Sequence, residues 1–186
     1  ESDLKDKVKL NTRKELFIYS YRVAGTVGLM MSKILKVTNR DSFKGAIDLG
    51  IAMQLTNISR DVIEDKKRNR SYISHDFNSI KETIELANTF YESSFPAIKA
   101  VPLGSRFSII VARRVYRKIG DNILKQKNLE NYNNAGKIYV SNIGKIIQTI
   151  LSLYDFARIY FVNYKEHLKK NEHSIINEQI NLNERI

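Results

Sequence analysis

Apolar and polar residues along the chain recur at the spacing of α-helices, and no stretch shows the alternation that is typical of a strand. The predicted helices cover about residues 12–35, 42–67, 79–95, 105–127 and 139–168. No internal repeat or linker divides the 186 residues, and the chain contains only two prolines and eight glycines. The pattern therefore predicts one all-α domain over 1–168, followed by a polar tail over 169–186.

Local signals mark the predicted helix starts and loops. Thr12 with Glu15, and Ser79 with Glu82, have the spacing of capping boxes. The remaining segments are a loop over 69–78, a short helix or turn between Pro96 and Pro102, and a loop over 128–136. The tail from Lys169 is rich in polar residues, and we expect it to be frayed.

The predicted helix over 42–67 carries a stripe that changes from apolar to polar along its length. Seven positions fall within an arc of about 80° on its surface. They are Phe43, Ile47, Gly50, Gln54, Asn57, Asp61 and Asp65. Asp61 and Asp65 would lie one turn apart, and Mg²⁺ would remove their mutual repulsion and bind their oxygens. Asn57, one turn earlier, could add a carbonyl ligand or a hydrogen bond.

Basic side chains crowd the same region. They are Arg60, Lys66, Lys67, Arg68 and Arg70. A metal ion with neighbouring cations suits a diphosphate, because both stabilise the negative charge that develops when diphosphate leaves. A lone D-x-x-x-D pair would equally fit a solvated acidic pair neutralised by these bases. The longer polar line on an apolar stripe favours the inward-facing interpretation.

The first predicted helix has small residues on one face. Ala24, Gly25 and Gly28 follow Tyr21 at helical spacing, and an interior glycine costs about 1 kcal/mol relative to alanine. Close helix packing and room for a ligand are the two explanations, and packing is the commoner one.

The charge of the chain narrows the classes of partner. The net charge is +11, from 31 basic and 20 acidic residues, which suggests nucleic acid, anionic lipid or a phosphorylated small molecule. The absence of cysteine excludes disulfides. The most apolar long segment, 138–162, is interrupted by polar and charged residues, so we expect no membrane span.

Two long blocks of sequence resemble the squalene and phytoene synthase family. They are YSYRVAGTVGLMMSKIL at 19–35 and LGIAMQLTNISRDVIEDKKRNRSYIS at 49–74, and weaker similarity extends through ARRVYRKIGDNI and GKIYVSNIGK. The resemblance implies a partial isoprenoid synthase helical bundle. It also implies a Mg²⁺-dependent prenyltransferase, with Mn²⁺ as a substitute metal, that condenses two geranylgeranyl diphosphates head to head into phytoene through a cyclopropyl intermediate.

The resemblance also assigns roles to residues of this chain. Asp61 and Asp65 match an aspartate-rich motif that binds the metal, and Gln54 and Asn57 match the polar residues before it. The other matches are Arg60 and Arg70 as diphosphate-contacting arginines, Tyr21, Tyr72 and Tyr116 near the reacting carbons, and Gly25 and Gly28 at a bend lining the prenyl channel. On this basis the small residues are expected to make room for a ligand.

Three departures from the family pattern affect these expectations. The family's first aspartate-rich motif, on an earlier helix, is absent, so we expect the isolated chain to be inactive. It would be a partial sequence, one half of a two-chain enzyme or a non-catalytic partner subunit. Lys137 stands where the family usually has a phosphate-binding arginine, and lysine lacks the bidentate fork. Asn69 replaces a glycine in the loop before Arg70.

The alternatives belong to different classes. A sister enzyme would use the shorter farnesyl diphosphate to make dehydrosqualene, squalene or a hopanoid precursor. A basic helical nucleic-acid-binding protein would need a basic face with exposed aromatics, and the basic residues here are scattered, so no nucleic acid partner is expected. We expect a cytoplasmic protein on an anionic membrane surface, because its prenyl substrate and product are apolar and its charge is positive.

Overall fold

The computed structural model describes residues 8–162, 167–178 and 181, and helices form nearly all of its regular structure. The helices are α1 (Arg13–Ser20), α2 (Thr26–Ile34), α3 (Arg40–Arg60), α4 (Val62–Lys67), α5 (Phe77–Ser94), α6 (Leu103–Leu124), α7 (Leu129–Asn134), α8 (Asn142–Arg158) and α9 (Lys170–Asn177), with 3₁₀ segments at Pro96–Ala100 and Ile159–Phe161. Two short strands, β1 (Val8–Lys9) and β2 (Arg70–Ser71), pair in parallel. The predicted all-α fold is confirmed, and the strand pair is too short to produce a sequence period.

Helix α3 is the central element, and it packs against α2, α5 and α6. The helix begins where the Asn39 side chain accepts hydrogen bonds from the backbone N–H groups of Asp41 and Ser42. Ile47 and Leu55, on its inner surface, are fully buried. Burial of one such side chain stabilises the fold by about 1.5–3 kcal/mol, so α3 anchors the core.

The helix predicted over 42–67 is divided at Asp61. Helix α3 ends at Arg60, and α4 follows after Asp61. The hydroxyl of Tyr132, on α7, donates to the backbone carbonyl oxygens of Ser59 and Arg60, each at 2.8 Å. Carbonyl groups at the end of α3 thus find a side-chain donor, and this contact stabilises the break beside the carboxylates.

The first predicted helix consists of α1, a π-helical turn at Tyr21–Gly25, and α2. The capping box at its start is confirmed. The Glu15 backbone N–H donates to the Thr12 hydroxyl, and the Glu15 carboxylate accepts from the Thr12 backbone N–H. The π turn shifts the register of α2 relative to α1 where the small residues lie.

Glycines allow α2 and α3 to approach closely. A Cβ atom at Gly28 would overlap the carbonyl oxygen of Ala46, and one at Gly50 would overlap that of Ala24. A Cβ atom at Gly25 would press on a neighbouring tyrosine ring. Close packing therefore requires Gly28 and Gly50 and favours Gly25, which adds a packing reason to the ligand room that the resemblance predicts at Gly25 and Gly28.

Two predicted helix boundaries and one predicted loop are wrong. Helix α5 begins at Phe77, because the carboxylate of Asp76 accepts the backbone N–H of Ser79 at 2.8 Å and takes the capping role expected of Ser79. The predicted loop over 128–136 contains α7, whose tyrosine is buried. The last long helix ends at Arg158, ten residues earlier than expected.

The C-terminal segment packs against the domain where the structure describes it. Helix α9 contacts α1, and Lys14 forms an ion pair with Glu178 at 2.5 Å. Ile176 is fully buried. The expectation of a frayed segment from Lys169 is therefore wrong for residues 170–177.

Helix α8 leaves an apolar face open to solvent. Ile143, Ile146, Ile150 and Tyr154 are each at least 60% exposed. None of the helices in the described ranges is both long enough and apolar enough to cross a bilayer.

Candidate functional site

Asp61 lies at the break between α3 and α4, where basic side chains hold it. Arg60 donates to both carboxylate oxygens, from Nε at 2.8 Å and from Nη2 at 2.6 Å. Lys137 Nζ lies 3.8 Å from Asp61 Oδ1 and 3.1 Å from Glu64 Oε2. The structure thus brings three predicted site residues together and adds Glu64, which its helical spacing from Asp61 could have indicated.

Asp65 lines a small pocket of about 210 Å³ with Arg70, Tyr72 and His75. Burial raises the pKa of Asp65 to about 6, and the charge of Asp61 acts in the same direction, while Arg70 opposes both. The charge of Asp61 therefore disfavours the ionised form of Asp65, and a bound cation would relieve this repulsion.

Tyr72 is buried beside this pocket, and it is positioned by a residue that the sequence analysis missed. The hydroxyl of Tyr19 donates to that of Tyr72 at 3.0 Å, and the two rings stack with centroids 4.6 Å apart. The stacking fixes the Tyr72 ring near Asp65 and Arg70. Helical periodicity places Tyr19 on the core face of α1, but no sequence signal links it to the loop after β2.

Gln54 and Asn57 border a second, larger cavity of about 340 Å³ between α2, α3 and α6. Its wall is mostly apolar, and Gly28 and Tyr116 contribute to it. The Asn57 side-chain oxygen is buried and has no hydrogen-bond partner among the described residues. The four polar residues predicted on one face of the helix over 42–67 are all partly shielded from solvent. They do not share one cavity: Gln54 and Asn57 border the apolar cavity, Asp65 lines the smaller pocket, and Asp61 pairs with Arg60.

Two predicted site residues lie away from this cavity. Tyr21 is fully buried in the main core, and Gly25 packs against its ring. Neither is among the residues that line the cavity, whereas Tyr116 and Gly28 are. The structure therefore supports a wall position for Tyr116 and Gly28, and a packing position for Tyr21 and Gly25.

The donor set around α4 fits a hard divalent cation. Asp61, Asp65 and Asn57 supply only oxygen donors, which Mg²⁺ prefers. The unpaired Asn57 oxygen and the raised pKa of Asp65 are both features that a cation would relieve. At Asp61 the cation would compete with Arg60, which would then be available to an anion.

Comparison with known proteins identifies the fold first. A crystal structure of a dehydrosqualene synthase in complex with ligand superposes with a TM-score of 0.67 and 29% sequence identity, over 83% of this chain and 60% of that chain. The fold is that of an isoprenoid synthase.

The family follows from the sequence comparisons. A family model described as squalene/phytoene synthase matches residues 1–79. The chain is 31% identical over 140 residues to 15-cis-phytoene synthase of Enterobacter agglomerans, covering 64% of this chain, and 34% identical over 173 residues to a chloroplastic phytoene synthase of an Oncidium hybrid cultivar, covering 78%. It spans 48% and 41% of the length of these relatives. The chain is similar to the squalene/phytoene synthase family, which confirms the resemblance that its two sequence blocks predict.

Proposed function

We propose that this chain forms the diphosphate-binding carboxylate site and part of the prenyl cavity of a phytoene synthase. The reaction is the head-to-head condensation of two geranylgeranyl diphosphates. The similarity of the chain to the squalene/phytoene synthase family and to curated phytoene synthases supports this proposal.

One observation carries the proposal. Along a single helix surface, an apolar cavity with Gln54 and Asn57 at its edge is followed by Asp61 and then, across the break, by Asp65. A prenyl diphosphate has the same polarity along its length, with an apolar chain joined to a charged head. Burial of the chain contributes about 0.8 kcal/mol per CH₂ group, which suits the apolar cavity wall.

The residues around α4 have distinct tasks in this proposal. Asp61, Asp65 and Asn57 would hold Mg²⁺, which neutralises diphosphate charge when bound. Arg70, beside Asp65, and Arg60, once released from Asp61, would bind the diphosphate oxygens and stabilise the negative charge as the allylic C–O bond breaks.

Ionisation leaves an allylic cation on the prenyl chain, and both electrons of the broken bond depart with the diphosphate. Tyr116 lines the apolar cavity and Tyr72 lines the pocket of Asp65, and in this proposal these two phenols stabilise the cation. An aromatic face can stabilise a cation that water would otherwise capture. The cation then adds to the double bond of the second substrate, and loss of a proton closes the cyclopropyl ring.

A second candidate reaction uses the same site with farnesyl diphosphate and forms dehydrosqualene. The observation in its favour is the structural similarity to a dehydrosqualene synthase. The two reactions share their chemistry and differ in chain length, so cavity depth would decide between them.

We also propose that turnover needs a second carboxylate cluster opposite Asp61 and Asp65. Within the described ranges, no third His, Asp or Glu groups with these two closely enough to share a metal ion. The chain alone would then bind substrate without converting it, which corresponds to the expected inactivity of the isolated chain.

A product assay tests the proposed function. The chain is incubated with Mg²⁺ and either geranylgeranyl or farnesyl diphosphate, alone and as a fusion to the segment that precedes the matched region in the Enterobacter agglomerans relative. We expect the fusion to form phytoene, and its Asp61→Asn variant to form almost none, with Asp121→Asn as the control at an exposed carboxylate. A C30 product alone would select the second candidate. A properly folded fusion that forms neither product would contradict both and favour a non-catalytic subunit.

A further inference from the structure

A buried cluster of one carboxylate and two imidazoles lies far from the site on α4. Asp48, in the middle of α3, is fully buried, and His167 and His173 reach it from the C-terminal segment. Asp48 precedes Asp61 by thirteen residues, so the two lie about 20 Å apart along the helix. The cluster is therefore separate from the proposed diphosphate site, and none of its three residues is among those that line the apolar cavity.

The contacts within the cluster are short and directional. Nε2 of His167 lies 2.8 Å from Asp48 Oδ2, and Nε2 of His173 lies 2.7 Å from Asp48 Oδ1. Ser93, on α5, donates its hydroxyl to Asp48 Oδ2 at 2.6 Å. One ligand atom from each of the three ionisable residues lies within 4.8 Å of the others.

This ligand set is suited to a transition metal. Two imidazole nitrogens with one carboxylate oxygen are common ligands of Zn²⁺, which binds them at about 2.0–2.2 Å. In a tetrahedral site such atoms lie about 3.3 Å from one another, so the present nitrogen–oxygen separations would widen by only about half an ångström. Ser93 would hold the carboxylate from the side, as outer-shell groups do in metal sites.

The electrostatics of the cluster permit metal binding. Both oxygens of the Asp48 carboxylate already face an imidazole nitrogen, one from each histidine. Nδ1 of His173 is buried and makes no hydrogen bond to the described residues. The ring proton can therefore reside on Nδ1 and leave Nε2 free to bind a cation.

We infer that Asp48, His167 and His173 form a structural site for one divalent transition-metal ion, with zinc as its probe, which fastens the C-terminal segment to α3 and α5. All three residues are buried, and they would supply three of the four ligands of a tetrahedral zinc site. The ion would tie residues 119 and 125 positions away in sequence to the centre of the domain. This role is independent of the proposed prenyl diphosphate chemistry.

Zinc titration of the 186-residue chain tests the inference. After removal of metals with a chelator, calorimetric titration with ZnCl₂ at pH 7.5 should show one equivalent bound per chain, confirmed by elemental analysis after gel filtration. Zinc at 100 times its Kd should raise the Tm by about 5–10 °C, since it binds only the folded state. Absence of stoichiometric binding, with a Tm unaffected by zinc or chelator, would show a purely hydrogen-bonded cluster and overturn the inference.

Substitutions locate the bound ion. His167→Gln and His173→Gln each retain a side-chain N–H group that can donate to Asp48, but each removes an imidazole ligand of the ion. Loss of an outer-shell partner weakens metal binding by about 10–100-fold, so loss of a direct ligand should weaken zinc binding by more than this. The third histidine gives a matched control, because His75→Gln should bind zinc as the unaltered chain does. Asp121→Asn, at an exposed carboxylate, should also leave zinc binding unchanged. Zinc binding that survives both cluster variants, or that is lost in either control, would contradict the assignment.

Discussion

Replacement of Asp65 by asparagine should stabilise the metal-free protein at neutral pH. Burial and the neighbouring Asp61 raise the pKa of Asp65 from 3.8 to about 6. A shift of this size corresponds to about 3 kcal/mol against the ionised form, and partial exposure to solvent reduces this to about 1–2 kcal/mol. Asparagine has a similar shape and no charge, so Asp65→Asn should raise the Tm by about 2–8 °C.

The effect should depend on pH in a defined direction. The folded-state pKa of Asp65 exceeds that of the unfolded chain, so between pH 3.8 and about 6 the folded state binds more protons than the unfolded state. The contribution of Asp65 to stability therefore falls as pH rises through this range, and the penalty is fully present above about pH 6. The advantage of the variant should be large at pH 7.5 and about half as large at pH 5.

Urea unfolding of both proteins in chelator at the two pH values measures this difference. Asp121→Asn, at a carboxylate with a side chain 49% exposed, is the control and should change stability little. Addition of Mg²⁺ at pH 7.5 should stabilise the unaltered chain more than the Asp65 variant. A variant no more stable than the unaltered chain at pH 7.5, or equally stabilised by Mg²⁺, would refute the assignment of Asp65 as a strained metal ligand.

Three further outcomes are expected. Gly28→Ala should lower the free energy of unfolding by about 1–3 kcal/mol, because the new methyl group meets a backbone oxygen, whereas Gly104→Ala, with open space around it, should be tolerated; equal effects in urea unfolding would contradict this. Tyr132→Phe should cost about 1–2 kcal/mol through the loss of a hydroxyl that donates to two carbonyls, and Tyr139→Phe, which is 70% exposed, should cost almost nothing by the same measurement. The chain should co-sediment with anionic vesicles in a salt-sensitive way, less so after Ile146→Ser on the open face of α8, and equal binding to neutral vesicles would exclude an electrostatic contribution.

The long helices could be predicted because their buried residues recur at helical spacing. The central helix shows this most clearly, since Phe43, Ile47 and Gly50 are all buried. The same spacing carried Asn57 and Asp65 into partly buried positions. Periodicity could not show the break at Asp61, because it is stabilised by a tyrosine from a distant segment.

Short elements were missed where tertiary contacts outweigh local composition. Helix α7 lies in an asparagine-rich stretch, and burial of Tyr132 supports it. At α5, Asp76 and Ser79 are both good N-caps by type, and only the structure shows that the carboxylate binds the backbone. The cluster of Asp48 with His167 joins positions 119 residues apart, and no local pattern connects them.

Binding of a geranylgeranyl thiolodiphosphate, an analogue that resists ionisation, to the 186-residue chain tests the proposed site most directly. Isothermal titration should show binding that requires Mg²⁺ and that weakens at least about 10-fold, or about 1.4 kcal/mol, in Asp61→Asn but not in Asp121→Asn. Binding of the analogue with the same affinity in the absence of Mg²⁺, or in the Asp61 variant, would contradict a metal-assisted diphosphate site at the junction of α3 and α4.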